Sequence, residues 1–344
     1  MRVILAYSGS AAGSAAIAWL REHRGADVVT VTIDLGQGRE LEATRDRALA
    51  LGAVRAHVLD LRERFVQDFV MPALRADAVH ASGVPPALAL SRPIVAAALA
   101  DMARIERTTH VAHAGGSHTQ ASRLDVLLAD LAPSLQVTAV QREAATADGM
   151  TRDERPANTV TRDNEMHVNL WGRTVVAGKP GWPRRADTSS AESAVQARAA
   201  IVDIAFADGI PCALNGVSLP PTELIASLGT LASAHGVGEV SNDTISCQAP
   251  AAVVLHAAHR DLTLAATPAD VAHFSATVTA AYVGLIESGR WFSPLKDALD
   301  AYVDSVQRAV SGSVRVRLLE GVVTTLAAEP SQSAVRPRAA RVVA

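Results

Sequence analysis

Cysteine, aromatic residues and any excess of charge are all scarce in this sequence of 344 residues. Only Cys212 and Cys247 occur, far apart and with no His or Cys at ligand spacing, which argues against a disulfide framework and a zinc site. Cys212, in GIPCALNG, reads as a small buried hydrophobe. Phe, Trp and Tyr together make up 3% while alanine is abundant, a bias that speaks of a GC-rich genome more than of a function. A net charge of −3 supplies no basic field for nucleic acid or an anionic membrane, so neither partner is implied. No apolar run approaches the ~18 residues of a spanning helix. The N-terminus, MRVILAYSGS, passes from a short apolar run straight into a loop with no h-region, and the chain is read as cytoplasmic. What is plentiful is hydrophobic content, 49%, enough to fill a sizeable core in two domains or one large α/β unit.

The first half alternates strand and helix patterns. Val3 to Ala6 reads as a strand, Ser14 to His23 as a helix, Val28 to Ile33 as a β-branched strand and Glu40 to Leu51 as a helix stopped by Gly52. Ala56 to Leu59 follows as a strand, then a helix from about Arg62 to Leu74. A helix over Pro93 to Ile105 and strands at Thr109 to Ala112 and Leu135 to Ala139 extend the series. Such alternation predicts an α/β fold with a doubly wound parallel sheet, which binds ligands beyond the carboxyl ends of its strands. From Glu143 to Arg185 the pattern breaks into polar, Pro- and Gly-containing sequence, a domain boundary that divides a nucleotide-binding region 1–165 from an α+β region 166–328. The second region is expected to hold Ala197 to Phe206, a helix Pro221 to His235, a strand Ala251 to Leu255 and a long helix Pro268 to Ser288. A helix Ser293 to Val310 and a hairpin, Ser313 to Leu318 with Val322 to Leu326, turning at Glu320-Gly321, complete it. The tail from Glu329 has little to bury and is read as disordered or as a partner-docking arm.

The loop after the first strand, Ser8-Gly9-Ser10-Ala11-Ala12-Gly13-Ser14, is the first candidate site. Glycines allow close backbone approach, and hydroxyls at a helix entrance make a phosphate cradle. It matches neither G-x-G-x-x-G nor a Walker A loop. A plain tight turn with Ser14 as N-cap accounts for the same residues, so both readings stand on local grounds.

Larger blocks carry a resemblance. Tyr7-Ser8-Gly9, Thr32-Ile33-Asp34-Leu35-Gly36-Gln37-Gly38, Ser91-Arg92-Pro93, Asn169-Leu170-Trp171-Gly172-Arg173, Ala213-Leu214-Asn215-Gly216, His259-Arg260-Asp261 and Trp291-Phe292-Ser293-Pro294-Leu295 stand in the order found in the argininosuccinate synthase family. The chain resembles that family from the N-terminus to about Leu318. The resemblance implies a fold of the ATP-pyrophosphatase (adenine nucleotide α-hydrolase-like) type. It also implies activation of citrulline by ATP as an adenylate, from which the amine of aspartate displaces AMP. ATP and Mg2+ are the cofactors so implied, with a small-molecule ligand and a homo-oligomer, dimeric more than tetrameric, as partners.

Transferred position by position, the resemblance assigns the nucleotide to Ala6, Tyr7, Ser8, Gly9, Ser10, Ser14, Ile33 and Ala114. It assigns substrate contacts to Arg123, Thr174, Thr119, Gln120 and Glu165; Arg123 reads equally as a surface arginine on a helix. No catalytic residue and no metal ligand is assigned. Several positions depart from the family pattern. Ala12 and Gly13 stand where it has a carboxylate and a threonine, Val84 and Cys247 where it has tyrosines, and Glu165 where it has a serine. The segment between Gly238 and Ala249 is shortened, and the C-terminal arm is replaced by an unrelated tail. These losses favour a homologue that binds a nucleotide or metabolite without the standard ligation. An AMP-forming C–N ligase of the same lineage, acting on another substrate, is the alternative.

Three lesser constellations complete the reading. His256 and His259 are three apart after the expected strand at Ala251 to Leu255, and are taken as framework and not as metal ligands. His113 and His118 are taken as loop histidines in solvent more readily than as acid–base groups. Ser10 and Ser14 have no base within sequence reach.

Overall fold

The structure is a computed structural model that describes residues 1–38, 41–115, 118–147, 166–176, 198–241 and 245–331. Its first elements are β1 (Arg2–Ala6), α1 (Ala11–Arg24), β2 (Asp27–Asp34), α2 (Leu41–Ala50), β3 (Arg55–Asp60) and α3 (Arg62–Phe65). A π-helical turn (Val66–Val70) leads into α4 (Met71–Arg75), then α5 (Ala87–Ile105), β4 (His110–His113), α6 (His118–Leu131), β5 (Gln136–Ala139) and α7 (Val140–Ala147). β6 (Met166–Asn169), β7 (Gly172–Val176), β8 (Ala200–Ala207), β9 (Ile210–Leu214), β10 (Val217–Ser218) and α8 (Pro221–Ala234) follow. The chain continues through β11 (Glu239–Ser241), β12 (Ile245–Gln248), α9 (Pro250–Ala266), α10 (Ala269–Ser288), α11 (Pro294–Gln307), β13 (Gly312–Leu319) and β14 (Val322–Pro330).

Two compact units share this chain. The first comprises Met1–Phe65, Leu88–Asn169 and Leu285–Lys296; the second comprises Val66–Ala87, Leu170–Gly284 and Asp297–Ala344. In the first unit five parallel strands run in the order β3-β2-β1-β4-β5. β2 is buried from Val28 to Thr32 without alternation, as a central parallel strand covered on both faces must be. One layer of core joins Val3, Leu5 and Tyr7 of β1 and its exit to Ala16, Ile17 and Leu20 of α1. The period-2 face of the strand thus meets the i, i+3, i+4 stripe of the helix. Gly25, at φ 56, ends α1 by donating to the Arg21 and Leu20 carbonyls, with Arg21 and Arg24 in the last turn to complement the dipole.

In the second unit an antiparallel sheet runs β10-β9-β8-β13-β14. Val202, Ile204 and Phe206 of β8 and Val314, Val316 and Leu318 of β13 are buried on one face, against which α8 and α9 pack. On the opposite face Arg315 makes a two-point bond to its register partner Asp203, at 2.7 and 3.0 Å. The hairpin at Glu320-Gly321 forms as expected, with both residues at positive φ, the geometry of a type I′ turn. Asp208-Gly209 and Asn215-Gly216 make two more such turns, joining β8 to β9 and β9 to β10.

Four expectations change. Ala251 to Leu255 is not a strand; it opens α9, where Pro250 occupies the first turn and Ala251, Leu255, Ala258 and Leu262 bury one helical face. α1 begins at Ala11 and not Ser14, because Ser10 is the cap. α5 begins at Ala87, so Pro93 lies inside it. The segment from Glu143 to Arg185 is not devoid of structure, since α7 ends in it and β6 and β7 lie within it. The expected helix over 62–74 is continuous but widened at Val66–Val70, one turn before Pro72. Glu329 and Pro330 belong to β14, and the tail from 332 lies outside the described residues.

By length and composition α10 is apolar enough to cross a membrane, which qualifies the reading that no run approaches that length. Its side chains are nevertheless engaged in the second unit. Thr279 donates to the Ala76 carbonyl, Ser275 bonds Tyr302, and Tyr282 donates to Asp300.

Candidate functional site: the carboxyl edge of the parallel sheet

The sheet reverses its winding between β1 and β4, so the crevice beyond their carboxyl ends is the place where a doubly wound fold takes a ligand. Ala6 pairs with Val31 on one side and His113 on the other. The exits of β1, β2 and β4 therefore lie side by side, and with them Tyr7, Ile33 and Ala114. The assigned nucleotide residues are brought together in one unit.

The loop itself is held by its own side chains. Ser10 accepts from the Gly13 amide at 3.1 Å and caps α1. Tyr7, 4% exposed, shares a 3.1 Å hydrogen bond with the Ser14 hydroxyl. Its ring covers the helix start so closely that a Cβ on Gly13 would stand 3.0 Å from Tyr7 Cδ2. Gly9, at φ +79, faces Thr44 of α2, and Arg47 of the same helix donates to the Gly9 carbonyl at 3.2 Å. Thr44 and Arg47 escaped the sequence reading because nothing in local spacing links α2 to the first loop. After β2, Asp34 accepts from the Gly36 amide, while Gln37 donates to the Ile33 carbonyl and accepts from Leu35. This turn satisfies its own polar groups and gives the edge a fixed wall.

Helix α1 carries no acidic residue in its first turn, and its leading amides have no intrahelical acceptor. Together with Ser8 and Ser10 that is a donor set for a polyphosphate. No carboxylate stands in the loop to position a cation. Among the described residues no group of three or more His, Cys, Asp and Glu side chains could hold a metal.

The assigned substrate residues fare differently. Arg123, on α6, lies within 3.4 Å of Glu287. Thr119 and Gln120 fall in the first turn of α6, but their side chains, like His118, lie outside the described residues, as does Glu165. Thr174 is in the second unit, buried in β7, with its hydroxyl 3.7 Å from the sulfur of its cross-strand partner Cys247. Burial pushes the Cys247 thiol up, which keeps it protonated and unreactive. Val84 is buried too. Cys212, read as buried, is half-buried, with its sulfur against the Ala205 carbonyl.

The histidines are corrected by the fold. His113 is no solvent loop residue; it ends β4, is buried, and sits 2.8 Å from Asp125. His256 and His259 both lie on α9, one against Asp77 at 3.0 Å and the other against Gln307 at 2.8 Å. Burial pushes His259 down to about 4, so it is a neutral core residue at physiological pH.

With this geometry in view, comparison with known proteins is decisive. Residues 2–159 match the family model described as the arginosuccinate synthase N-terminal HUP domain, and residues 166–338 match the arginosuccinate synthase C-terminal domain. The chain belongs to the argininosuccinate synthase family. It is 36% identical over 349 residues to the argininosuccinate synthase of Chlorobium phaeobacteroides (strain BS1), covering 94% of this chain and 87% of that one. To the enzyme of Acaryochloris marina (strain MBIC 11017) it is 36% identical over 363 residues, covering 98% and 90%. To that of Rubrobacter xylanophilus (strain DSM 9941 / JCM 11954 / NBRC 16129 / PRD-1) it is 37% identical over 346 residues, covering 93% and 83%. The five-stranded parallel sheet is thus the HUP domain of this family member, and the candidate loop is the β1 exit of that domain.

Proposed function

We propose that this member of the argininosuccinate synthase family binds an adenine nucleotide at the β1–α1 loop but does not carry out the standard citrulline–aspartate ligation. The observation that carries the reading is the packing of Tyr7 over Gly13, in a loop whose neighbouring position is Ala12. The family's hydroxyl and carboxylate are replaced there by a glycine and an alanine, and the space beside the glycine is filled by an aromatic ring. A leaving Mg-pyrophosphate needs its metal positioned and its charge neutralised, and this loop supplies amides and serine hydroxyls but no carboxylate. The buried pairing of Thr174 with Cys247 supports the same conclusion, because a hydroxyl enclosed in a strand pair is withdrawn from a ligand.

A second reading, an AMP-forming C–N ligase acting on another amino-acid-like substrate, is favoured by the retained Ser8 and Gly9 and by the capped, acid-free start of α1. The protein is taken as a cytoplasmic homo-oligomer, dimeric rather than tetrameric, which light scattering at several concentrations would test. The functional experiment has two stages. Calorimetric titration with MgATP is expected to show binding. AMP formation with citrulline and aspartate is expected to be absent, and turnover at an ordinary synthase rate would overturn the proposal. Pyrophosphate release with any other amino acid would select the second reading.

A further inference from the structure

We propose that Arg47 of α2 neutralises the polyphosphate at the β1–α1 loop, so that this protein holds a nucleoside triphosphate by a guanidinium in place of a metal ion. The inference deepens the nucleotide site proposed above and rests on it.

The loop is short of charge. Ser8 to Ser14 contains no ionisable side chain, and the first turn of α1 holds no acidic residue. Amides at a helix start carry roughly half a unit of positive charge between them, whereas a triphosphate brings several full negative charges. The balance must come from a bound cation or from a side chain. Ala12 leaves the loop with no carboxylate to position a cation, so the charge has to be supplied by a side chain from elsewhere in the unit.

Arg47 is placed to be that side chain. Gly9, at φ +79, turns the loop onto α2 so closely that a Cβ there would stand 3.2 Å from Thr44 Cγ2 and Oγ1. One turn further along α2, Arg47 Nη1 donates to the Gly9 carbonyl at 3.2 Å, while Ala48 beside it is fully buried in the core layer of β1 and α1. The arginine is therefore anchored at its base by packing and at its tip by the loop. It is also uncommitted in charge. Arg45 is bound to Asp46 at 2.9 and 3.0 Å, Arg55 to Glu106 at 2.8 and 3.0 Å, and Arg62 to Asp60 at 2.6 and 2.9 Å. Arg47 has no acid three or four residues away on its helix, and among the described residues no carboxylate pairs with it. Its bond is to a neutral carbonyl and its side chain is exposed, which leaves most of its N–H donors for an incoming oxygen. The planar fork of a guanidinium matches two phosphate oxygens at once.

The test is calorimetric titration of the full-length protein with ATP and with pyrophosphate, each in Mg2+ and in EDTA, and with adenosine followed as a competitor of ATP. The parent is expected to bind ATP about equally in both buffers. Arg47→Gln should weaken ATP and pyrophosphate about tenfold and leave adenosine unchanged, and Arg47→Lys should recover most of the loss. Arg45→Gln makes the same charge change on the same helix at an arginine already paired, and should leave every affinity unchanged. Unaltered ATP affinity in Arg47→Gln overturns the proposal, as does an equal loss for adenosine, which would make Arg47 a brace of the loop and no phosphate ligand. An equal loss in Arg45→Gln overturns it too, since net charge alone would then account for the effect. ATP binding by the parent that vanishes in EDTA refutes the exchange of metal for guanidinium. A parent silent to all of these ligands refutes the nucleotide site itself, a result distinct from binding that ignores Arg47.

Discussion

Replacing Gly13 with alanine sets two effects of opposite sign against each other at the heart of the candidate site. A glycine inside a helix costs up to about 1 kcal/mol relative to alanine, so propensity alone predicts stabilisation. Against this, the new Cβ would stand 3.0 Å from Tyr7 Cδ2 and 3.3 Å from both Tyr7 Cε2 and Ser10 Oγ. Neither neighbour can retreat easily. The Tyr7 ring is buried in the core layer with Leu5 and Ile17, and its hydroxyl is tied to Ser14. Ser10 is committed to the Gly13 amide. Overpacking of such a site costs about 1–3 kcal/mol, so packing should prevail and Gly13→Ala should destabilise by roughly 1–2 kcal/mol. Urea unfolding of the two proteins measures this directly. A double-mutant cycle isolates the cause: with Tyr7→Leu in place the ring edge is gone, and Gly13→Ala should then be neutral or stabilising. Stabilisation by Gly13→Ala in the parent, or an equal cost in both backgrounds, would refute the argument that Tyr7 dictates the glycine.

Three further outcomes follow from the same structure. Asp77, at φ 48, is held by Arg260 at 2.7 and 3.1 Å and by His256 at 3.0 Å. Burial alone would raise its carboxyl, but the hydrogen bonds from His256 and Arg260 outweigh burial and hold it below the ordinary range. Asp77→Asn tolerates the left-handed backbone yet loses the charge, and should cost about 2–4 kcal/mol at neutral pH by thermal or urea unfolding. Since the folded pKa is the lower one, the stability is present above the ordinary carboxylate pKa of about 4 and fades as pH falls through the folded value. The variant's acid branch should therefore be flatter than the parent's. Ala12→Asp puts a carboxylate in the first turn of α1, where the dipole favours it by about 0.3–1 kcal/mol, and should make nucleotide binding more dependent on Mg2+ in titrations with and without the metal. Cys247 should resist iodoacetamide at pH 8 until the protein is unfolded, as read by mass spectrometry of digests; labelling in the native state at the rate of a free thiol would show the strand pair to be open.

Much of the architecture was legible in the chain, for identifiable reasons. Gly25, Gly52 and the β-branched run from Val28 to Ile33 punctuate the first half so plainly that the parallel sheet follows. Asp208-Gly209 and Asn215-Gly216 carried the same turn signal as Glu320-Gly321, so the β8–β9–β10 meander was readable too, though only the last hairpin was read. The run from Ala251 to Leu255 was misread because a short apolar stretch has no period of its own. Only its continuation through Ala258 and Leu262 makes it helical.

Local sequence by itself determined the elements, the loop at the first strand exit and the family, because propensity, turn chemistry and motif order act over short spans. Tertiary structure alone decided which distant residues meet. It brings Arg47 to the Gly9 carbonyl, sets Glu287 against Arg123 more than 160 positions away, and draws Val66–Ala87 into a different unit from its flanks. Such pairings are fixed by packing a whole layer at once, and no pattern confined to neighbouring residues encodes them.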